Sequence, residues 1–335
     1  MRTVQISHPE RGRHLAVVNG HELKLLVGVD SLYQLAMKAA REGLEIGSLA
    51  SQLPVGEVVD YDPVYQGQSS WTLLPAFDHP GDPAHCLVTG TGLTHVASVR
   101  NRDAMHGGKP ADAPLTDSMK VFQWGVEGGR PGPGELGVQP EWFFKGDASI
   151  LRAHGDALTR PGYGEDGGEE PEIAGLYIVD ETGLPWCVGY AGGNEFSDHA
   201  MEKRNYLYLA PSKLRECALG PEAVIGEALP DSIGGRVAIV RGGEEVWSAT
   251  IATGEANMCH SIANLAHHHF KYPRHRRPGD AHIHFFGADA FSFGAGIGLV
   301  DGDEMVVSWV GFGRALINPY RSEQPLVRPI EVQSL

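Results

Sequence analysis

The sequence predicts an α+β protein that is mostly β. Gly (44) and Pro (22) are abundant and spread along the chain, as is typical of turns between short strands. Between these turn residues lie short runs rich in β-branched side chains, whereas amphipathic helical patterns are few. The predicted strands are residues 23–29, 86–88, 173–179, 185–190, 237–240, 245–251 and 304–310.

Three helices are predicted, at residues 31–42, 198–209 and 256–268. The first has the clearest boundaries, because Ser31 is a good N-cap and Gly43 is a good stop signal. For the second we expect Ser197 to be the N-cap. Residues 66–83 read as loop, so we divide the chain into a small N-terminal α/β module, residues 1–80, and a larger, mostly β domain, residues 85–330.

The net charge of −15 argues against nucleic acids and anionic membranes as partners, since their binders need a basic surface. No apolar run approaches the roughly 18 residues that span a bilayer, and the first residues lack the apolar core of a secretion signal. The four cysteines lie far apart in the sequence, without a Cys-x-x-Cys pair. We therefore expect a cytoplasmic protein with reduced thiols.

A group of acidic residues stands at the start of the third predicted strand. Glu170 and Glu172 are two positions apart, so on a strand they share a face. A turn follows near Thr182, and in a hairpin centred there the paired positions sum to about 364. Residue 172 then lies opposite about residue 192, which brings Glu195 back beside the two other glutamates.

Clustered carboxylates repel one another unless a cation neutralises them or one of them binds a proton. Hard oxygen ligands suit Mg²⁺, with Mn²⁺ or Ca²⁺ as alternatives. A solvated acidic face is the other interpretation of the same spacing, and the spacing alone does not decide between them.

Other motifs give weaker indications. His282 and His284 share a strand face and suggest half of a cupin-type metal site, although two histidines with supporting roles are the favoured interpretation. The run 267–269 is all histidine and is expected on a helix surface. Cys259 beside His260 is a poor nucleophile pair, because neighbours on a strand point to opposite faces. Lys213 is a candidate for a catalytic role only if it lies near the glutamates, because a lone lysine is usually a surface residue.

Taken in order, several of these residues resemble the core of the fumarylacetoacetate hydrolase family. The resemblance covers about residues 85–325. It rests on Glu170-x-Glu172, Gly189-Tyr190-x-x-Gly193-Asn194-Glu195-x-Ser197, Ser212-Lys213, Gly220-Pro221, Phe144-Lys145, Pro278-Gly279-Asp280, residues 294–298, residues 301–304 and Gly313-x-x-x-x-Asn318.

The resemblance implies a fumarylacetoacetate-hydrolase-like mixed β-roll with a small N-terminal module, commonly a homodimer. It implies that Glu170, Glu172 and Glu195 bind the metal, although the third ligand of the family is usually Asp. It implies that Lys213 is the active-site lysine. We further predict substrate contacts from four residues: Thr94, Lys145, Asn194 and Ser197.

Two departures from the family pattern weaken the case for C–C bond hydrolysis. Ser98 stands where the hydrolases usually carry a water-activating histidine, and residues 284–286 replace their usual Thr-Gly-Thr. Residues 90–95, 168–172 and 193–199 are similar to a branch that dehydrates 2-keto-3-deoxy-pentonates (arabonate or xylonate).

We therefore expect a Mg²⁺-dependent enzyme that converts a small 2-oxo acid to a 2-oxoglutarate semialdehyde through a metal-stabilised enolate. Lys213 is the first candidate for base or enolate stabiliser, and His95 the second candidate, for proton transfer to the leaving hydroxyl. A C–C bond hydrolase or decarboxylase acting on another 2-oxo acid, such as an acylpyruvate, is the main alternative. A non-enzymatic β-barrel that binds sugar acids is the third.

Overall fold

The computed structural model describes residues 1–95 and 115–335. These residues form seventeen strands and seven α-helices. The strands are β1 (Arg2–His8), β2 (Gly12–Asn19), β3 (Glu22–Leu26), β4 (Val55–Asp60), β5 (Thr72–Leu73), β6 (Cys86–Gly90), β7 (Phe143–Asp147), β8 (Leu151–Arg152), β9 (Leu158–Arg160), β10 (Pro171–Val179), β11 (Pro185–Asn194), β12 (Cys217–Ile225), β13 (Ile233–Arg241), β14 (Glu244–Thr253), β15 (Ala281–Phe285), β16 (Glu304–Trp309) and β17 (Leu316–Ser322). The helices are α1 (Leu32–Glu42), α2 (Ile46–Gln52), α3 (Tyr61–Tyr65), α4 (Asp117–Gly128), α5 (His199–Arg204), α6 (Leu209–Lys213) and α7 (Ile262–Phe270).

The strands of the described residues form two sheets. In the twelve-stranded sheet the order is β4-β3-β2-β1-β12-β11-β10-β15-β6-β7, with β5 beside β1 and β8 beside β12. In the five-stranded sheet the order is β14-β13-β16-β17-β9. Most neighbours are antiparallel, but β15–β6, β12–β8 and β17–β9 are parallel. The molecule is therefore mostly β with mixed sheets, as predicted.

The N-terminal strands continue the large sheet. β1 pairs with β12, with Thr3 opposite Ala223, and β2, β3 and β4 follow outward from β1. Backbone hydrogen bonding thus runs from the first residues directly into the strands that carry the glutamates. The division at residues 80–85 stays a prediction.

Two apolar cores hold these layers together. In one, side chains of α1 and α2, including Leu32 and Leu35, pack against the large sheet. The other lies between the sheets and joins Ile173 and Phe196 to Val237 and other side chains of the small sheet. Each fully buried Leu or Phe stabilises the fold by roughly 1.5–3 kcal/mol, so the second core fixes the surroundings of the glutamates.

The predicted strands are present, and α1 has the predicted caps. Ser31 accepts a hydrogen bond from the amide of Gln34, and Gly43 ends the helix in the left-handed conformation with φ of 64°. The list of predicted strands lacks seven strands of five residues or more, namely β1, β2, β4, β7, β12, β15 and β17, and the predicted helices do not include α2, α3 or α4. Among the described residues no helix has the length and apolarity needed to cross a bilayer.

The other two helix predictions were wrong in their boundaries. Asp198, not Ser197, is the N-cap of α5, because its side chain accepts from the amide of Met201. The helix then stops at Asn205, whose extended backbone separates α5 from a short 3₁₀ turn and α6. The third helix begins only at Ile262, since Ser261 is its N-cap.

The hairpin register agrees with prediction near the turn and differs from it beyond a bulge. Tyr177 pairs with Cys187, so those positions sum to the predicted 364, but Leu176 pairs with Gly189. A β-bulge between Leu176 and Tyr177 accommodates one extra residue in β11. Glu172 consequently lies opposite Gly193, one residue from the predicted partner.

Candidate metal centre

The three glutamates converge at one end of the β10–β11 hairpin. One carboxylate oxygen from each of Glu170, Glu172 and Glu195 lies within 4.8 Å of the other two, and all three residues are buried. The backbone fixes the arrangement, since the amide of Glu195 donates to the carbonyl of Glu170 at 2.9 Å. Asn194 supports it, because its Oδ1 accepts from the amide of Glu170 at 3.2 Å.

Burial makes this arrangement costly when all three groups are charged. Desolvation, together with the charges of Glu195 and Glu170, raises the pKa of Glu172 well above its usual range. Desolvation also raises the pKa of Glu195, although Lys145 and Lys213 oppose that shift. A divalent cation would remove the repulsion, and the donor set, three carboxylates, is one that a hard cation prefers. The residues present therefore fit the predicted metal.

Lys213 reaches the glutamates from the end of α6. Its Nζ donates to Glu170 Oε1 and Glu195 Oε2, both at 2.7 Å, and to Ser197 Oγ at 2.8 Å. It also lies 4.9 Å from the centre of the Phe143 ring, an arrangement suited to a cation–π contact. Lys213 therefore lies in contact with the glutamates, as its candidate catalytic role requires.

Lys145 lies behind Glu195 and holds the backbone in place. Its Nζ donates to the carbonyls of Glu195, Phe196 and Lys213 at 3.2, 2.7 and 3.1 Å. It also forms an ion pair with Glu195 Oε1 at 2.6 Å. These contacts join the end of β11 to the end of α6, and the substrate contact assigned to Lys145 stays a prediction.

Gly287 lies between Glu172 and the pair Thr94 and His95. Glu172 Oε2 accepts from the amide of Gly287 at 2.7 Å, and a Cβ added to Gly287 would lie 2.1 Å from Thr94 Oγ. Thr94 Oγ donates to the carbonyl of Phe286 at 2.7 Å, so it accepts from His95 Nδ1 at 2.8 Å. Burial lowers the pKa of His95 to about 4, so this imidazole is neutral near pH 7.

Sequence reasoning missed two side chains that contact the cluster. His199 Nε2 lies 3.0 Å from Glu170 Oε1, and Glu202 Oε1 lies 3.4 Å from Lys213 Nζ. Burial lowers the pKa of His199, but the hydrogen bond and the charge of Glu170 outweigh it and raise the pKa overall. The only signal in the sequence was that His199 follows Glu195 closely, which does not predict a contact with Glu170.

The remaining histidine predictions divide. His268 and His269 are buried, contrary to the predicted surface position, because α7 packs on residues 137–142: His268 Nε2 contacts the carbonyl of Gly137, and His269 Nδ1 accepts from Trp142. His284 lies between the hydroxyls of Thr89 and Thr91, each at 2.8 Å. His282 contacts His269 at 3.0 Å. Neither histidine of the 282–284 pair lies in the carboxylate cluster, which agrees with a supporting role.

Two further predictions have different outcomes. Burial raises the pKa of Cys259 to about 11, so its thiol is protonated and unsuited to nucleophilic attack. Ser98, which stands in place of the hydrolase histidine, lies outside the described residues.

The chain is similar to known proteins in part of its sequence and in its fold. No protein-family model matches the chain. A probable 2-keto-3-deoxyxylonate dehydratase from Haloferax volcanii is 32% identical over 140 residues, which are 40% of this chain and 47% of that relative. The matched part thus spans about half the length of the curated relative.

Solved structures resemble the chain over almost its whole length. One is a 2-keto-3-deoxy-D-arabinonate dehydratase in complex with magnesium and 2,5-dioxopentanoate, with a TM-score of 0.70, 20% identity, and coverage of 97% of this chain and 100% of that chain. Another is fumarylacetoacetate hydrolase from psychrophilic Exiguobacterium antarcticum, with a TM-score of 0.58, 16% identity, and coverage of 96% and 100%. The fold is therefore that of the fumarylacetoacetate hydrolases, and the predicted resemblance to that family and to its dehydratase branch is confirmed.

Proposed function

We propose that this protein is a divalent-cation-dependent hydro-lyase that converts a 2-keto-3-deoxy-pentonate to 2-oxoglutarate semialdehyde, also named 2,5-dioxopentanoate. The observation that carries the proposal is the buried group of Glu170, Glu172 and Glu195 with Lys213 in contact with two of them. Two proteins named as dehydratases of such acids support the substrate class, one similar in sequence and one similar in fold.

Mg²⁺ is the proposed cofactor, with Mn²⁺ or Ca²⁺ as alternatives, and Glu170, Glu172 and Glu195 would hold it. When bound, the ion would supply Lewis-acid polarisation of the 2-oxo group of the substrate. The magnesium in the structure of the 2-keto-3-deoxy-D-arabinonate dehydratase and the oxygen ligands of this chain support that choice.

In the proposed reaction a proton leaves C3 and the hydroxyl group leaves C4, so that one water molecule is released. Tautomerisation then gives the aldehyde, and all five carbons of the substrate remain in the product. Negative charge develops on the 2-oxo oxygen as the C3 proton leaves. An ammonium group at Lys213 is suited to stabilise that charge, because it already lies 2.7 Å from two carboxylate oxygens of the cluster.

We assign proton transfer to the leaving hydroxyl to the pair Thr94 and His95. His95 would give its Nδ1 proton to Thr94 Oγ as Thr94 gives its hydroxyl proton to the leaving group. His95 Nε2 would at the same time take the proton of the Thr253 hydroxyl, 3.1 Å away, and the proton removed from C3 would replace it, so that the imidazole and both threonines end neutral. Thr94 then presents the proton at the Gly287 side of the cluster. We also propose substrate contacts from Thr94, Lys145, Asn194 and Ser197, whose polar groups are hydrogen-bonded to protein atoms around the cluster.

We also propose that the protein acts in the cytoplasm as a homodimer. The absence of disulfides among its four cysteines supports a reducing compartment. Sedimentation equilibrium tests the assembly: a mass of twice 36.1 kDa is expected, and a monomer at micromolar concentration contradicts it.

Proton NMR of the purified protein with a 2-keto-3-deoxy-pentonate tests the proposed reaction. We expect signals of a five-carbon semialdehyde with Mg²⁺ and an unchanged substrate with EDTA. Glu304→Gln, at an exposed glutamate, is a matched control that should retain turnover. Products with fewer carbons would show cleavage instead, and a substrate unchanged with Mg²⁺ would contradict the proposal and make acylpyruvates the next compounds to test.

A further inference from the structure

His199 lies beside the carboxylate cluster and has no role in the proposed reaction. It is the first residue of α5 and is 2% exposed. Its Nε2 lies 3.0 Å from Glu170 Oε1, the same oxygen that accepts from Lys213. Glu170 is thus held by a ring nitrogen and an ammonium group at one oxygen, which fixes the rotation of its carboxylate.

The imidazole ring is itself held in one orientation. It stacks on Phe291 with ring centres 4.5 Å apart and an angle of 8° between the planes. On the chain that precedes β10, Gly168 leaves the room that the ring needs, because a Cβ there would lie 2.5 Å from His199 Nδ1. Gly168 is fixed by paired backbone hydrogen bonds with Ser197, both at 3.0 Å.

A carboxylate faces the other ring nitrogen. Asp166 Oδ2 lies 3.9 Å from His199 Nδ1, and within the described ranges neither atom has a hydrogen-bond partner although both are buried. A movement of about 1 Å would bring them to hydrogen-bond distance. Two buried polar atoms that face each other in this way favour a hydrogen bond between the Asp166 carboxylate and the His199 ring.

Arg215 keeps Asp166 in place. It donates to the carbonyl of Asp166 at 2.6 Å and to Asp198 Oδ2 at 2.8 Å. Asp198 is the N-cap of α5 and also accepts from the amide of Glu165 at 2.9 Å. The loop that carries Asp166 is therefore tied to the helix end that carries His199.

We propose that His199 is a positioning residue for the cation site: it fixes the carboxylate of Glu170 toward the ion, and Asp166 orients His199. The inference rests on the proposed role of Glu170 as a ligand. Groups that orient a ligand change metal affinity by roughly 10- to 100-fold when they are replaced, because the ligand must then be ordered when the ion binds.

Binding of Mn²⁺, followed by the EPR signal of the free ion, tests this inference without substrate. His199→Phe keeps an aromatic ring against Phe291 but removes the donor, and we expect Mn²⁺ affinity to fall at least about tenfold. His199→Gln retains an amide donor and should restore most of that affinity. Asp166→Ala, at a partly buried loop position, should weaken binding by a smaller factor, less than about tenfold.

A partly buried histidine outside the cluster provides the control. His154 stacks on Tyr65 with ring centres 4.1 Å apart and is not in the cluster, so His154→Phe should leave Mn²⁺ affinity unchanged even if it lowers the melting temperature.

Wild-type affinity in His199→Phe overturns the inference, provided that Glu172→Gln abolishes binding in the same assay. If His199→Phe does not fold, unchanged affinity in Asp166→Ala overturns the role of Asp166, and equal losses in His199→Gln and His199→Leu overturn that of His199. Wild-type protein that binds no Mn²⁺ overturns both this inference and the proposed cation site.

Discussion

The ionised form of Glu172 is disfavoured by its surroundings in the cluster. It accepts a hydrogen bond from the backbone amide of Gly287, and burial and the charges of Glu195 and Glu170 raise its pKa. Replacing its carboxylate by an amide removes buried repulsion and one cation ligand together. The loss of repulsion raises the free energy of unfolding, whereas the loss of the ligand removes the stabilisation that the ion provides. Measuring stability with and without the ion distinguishes the two effects.

We therefore predict that Glu172→Gln melts at a higher temperature than the wild type in EDTA. Saturating Mg²⁺ should stabilise the wild type, by about 2.7 kcal/mol at one hundred times the dissociation constant, and should leave the variant unchanged. Turnover should fall at least about 100-fold. Differential scanning fluorimetry with and without Mg²⁺ measures the first two effects, and a variant that is still stabilised by Mg²⁺ contradicts the ligand assignment.

Gly287 joins the glutamates to the threonine–histidine pair, and it has φ of 102°. A Cβ there would lie 2.1 Å from Thr94 Oγ, so Gly287→Ala combines backbone strain with a clash. We predict a loss of about 2–3 kcal/mol in the free energy of unfolding together with reduced turnover. Gly296→Ala is the control, because φ is positive there too but no atom lies within 4 Å. Equal losses in both variants, by urea unfolding, would show that the contact with Thr94 is unimportant.

At this scale the sequence predicted the residues that lie close to one another in the chain or across one hairpin. Glu170 and Glu172 follow from the alternation of a strand, and Glu195 from the hairpin register. His199 and Asp166 were missed because their contact depends on how two loops pack, which no sequence period encodes. The same is true of Gly287, since a close approach to Thr94 is visible only in three dimensions.

Among the elements, α1 has the strongest local determinants. Ser31 Oγ accepts from the amide of Gln34 at 3.1 Å and is buried. We predict that Ser31→Ala lowers the free energy of unfolding by about 1 kcal/mol without changing turnover per folded molecule, because the buried side chains of α1 belong to the other apolar core, not to the one around the glutamates. Ser51→Ala, at an exposed serine of α2, should change stability by only a few tenths of a kcal/mol. Urea unfolding distinguishes the two, and equal effects would contradict the cap.

Element boundaries were predictable where a cap or a turn residue specifies them. Asp180 and Gly183 mark the turn of the hairpin, and the strands on either side have the predicted register until the bulge. The bulge itself has no clear sequence signal. The extra residue in β11 depends on how β11 pairs with both of its neighbours, β10 and β12. The boundary between α5 and α6 was missed because Asn205 breaks a pattern that otherwise continues.

The whole molecule contains many buried imidazoles, and these determine its response to acid. Burial is the main cause of the lowered pKa of each member of the following set: His95 and His260, about 4; His282 and His284, about 3; and His269, well below its usual value. In the unfolded chain each would titrate near 6.5. The unfolded state therefore binds more protons, so their contribution to stability is complete above pH 6.5 and is lost as the pH falls toward 4 and 3.

We predict that the melting temperature falls steeply between pH 6.5 and 4.5. The raised pKa values of Glu172 and Glu195 act in the opposite direction, so the measurement is made in Glu172→Gln as well as in the wild type. His284→Phe should reduce the slope by removing one of the buried imidazoles. A melting temperature that stays constant from pH 7 to 4.5 in both proteins would contradict this account.

The path of the large sheet could not be predicted from the sequence. Strand positions follow from composition and turns, but the order of the strands depends on long-range pairing, such as that of Thr3 with Ala223. The fold itself was predicted only through the resemblance to a family. Physical reasoning from the sequence alone reached a mostly β molecule and no further.

The pairing of β1 with β12 also has a consequence for synthesis of the chain. The amino group of Met1 and the carbonyl of Ile225, which are hydrogen-bonded, are 224 positions apart. At about 5–20 residues per second, β1 leaves the ribosome roughly 10–40 seconds before its partner exists. During that time β1, β2 and β3 can pair with one another, and β5 can pair with the end of β1. The part of β1 that pairs with β12, Arg2 and Thr3, stays open to other nascent chains. Aggregation during translation, rather than weakness of the finished fold, is therefore the failure to expect in chains that stop before residue 217.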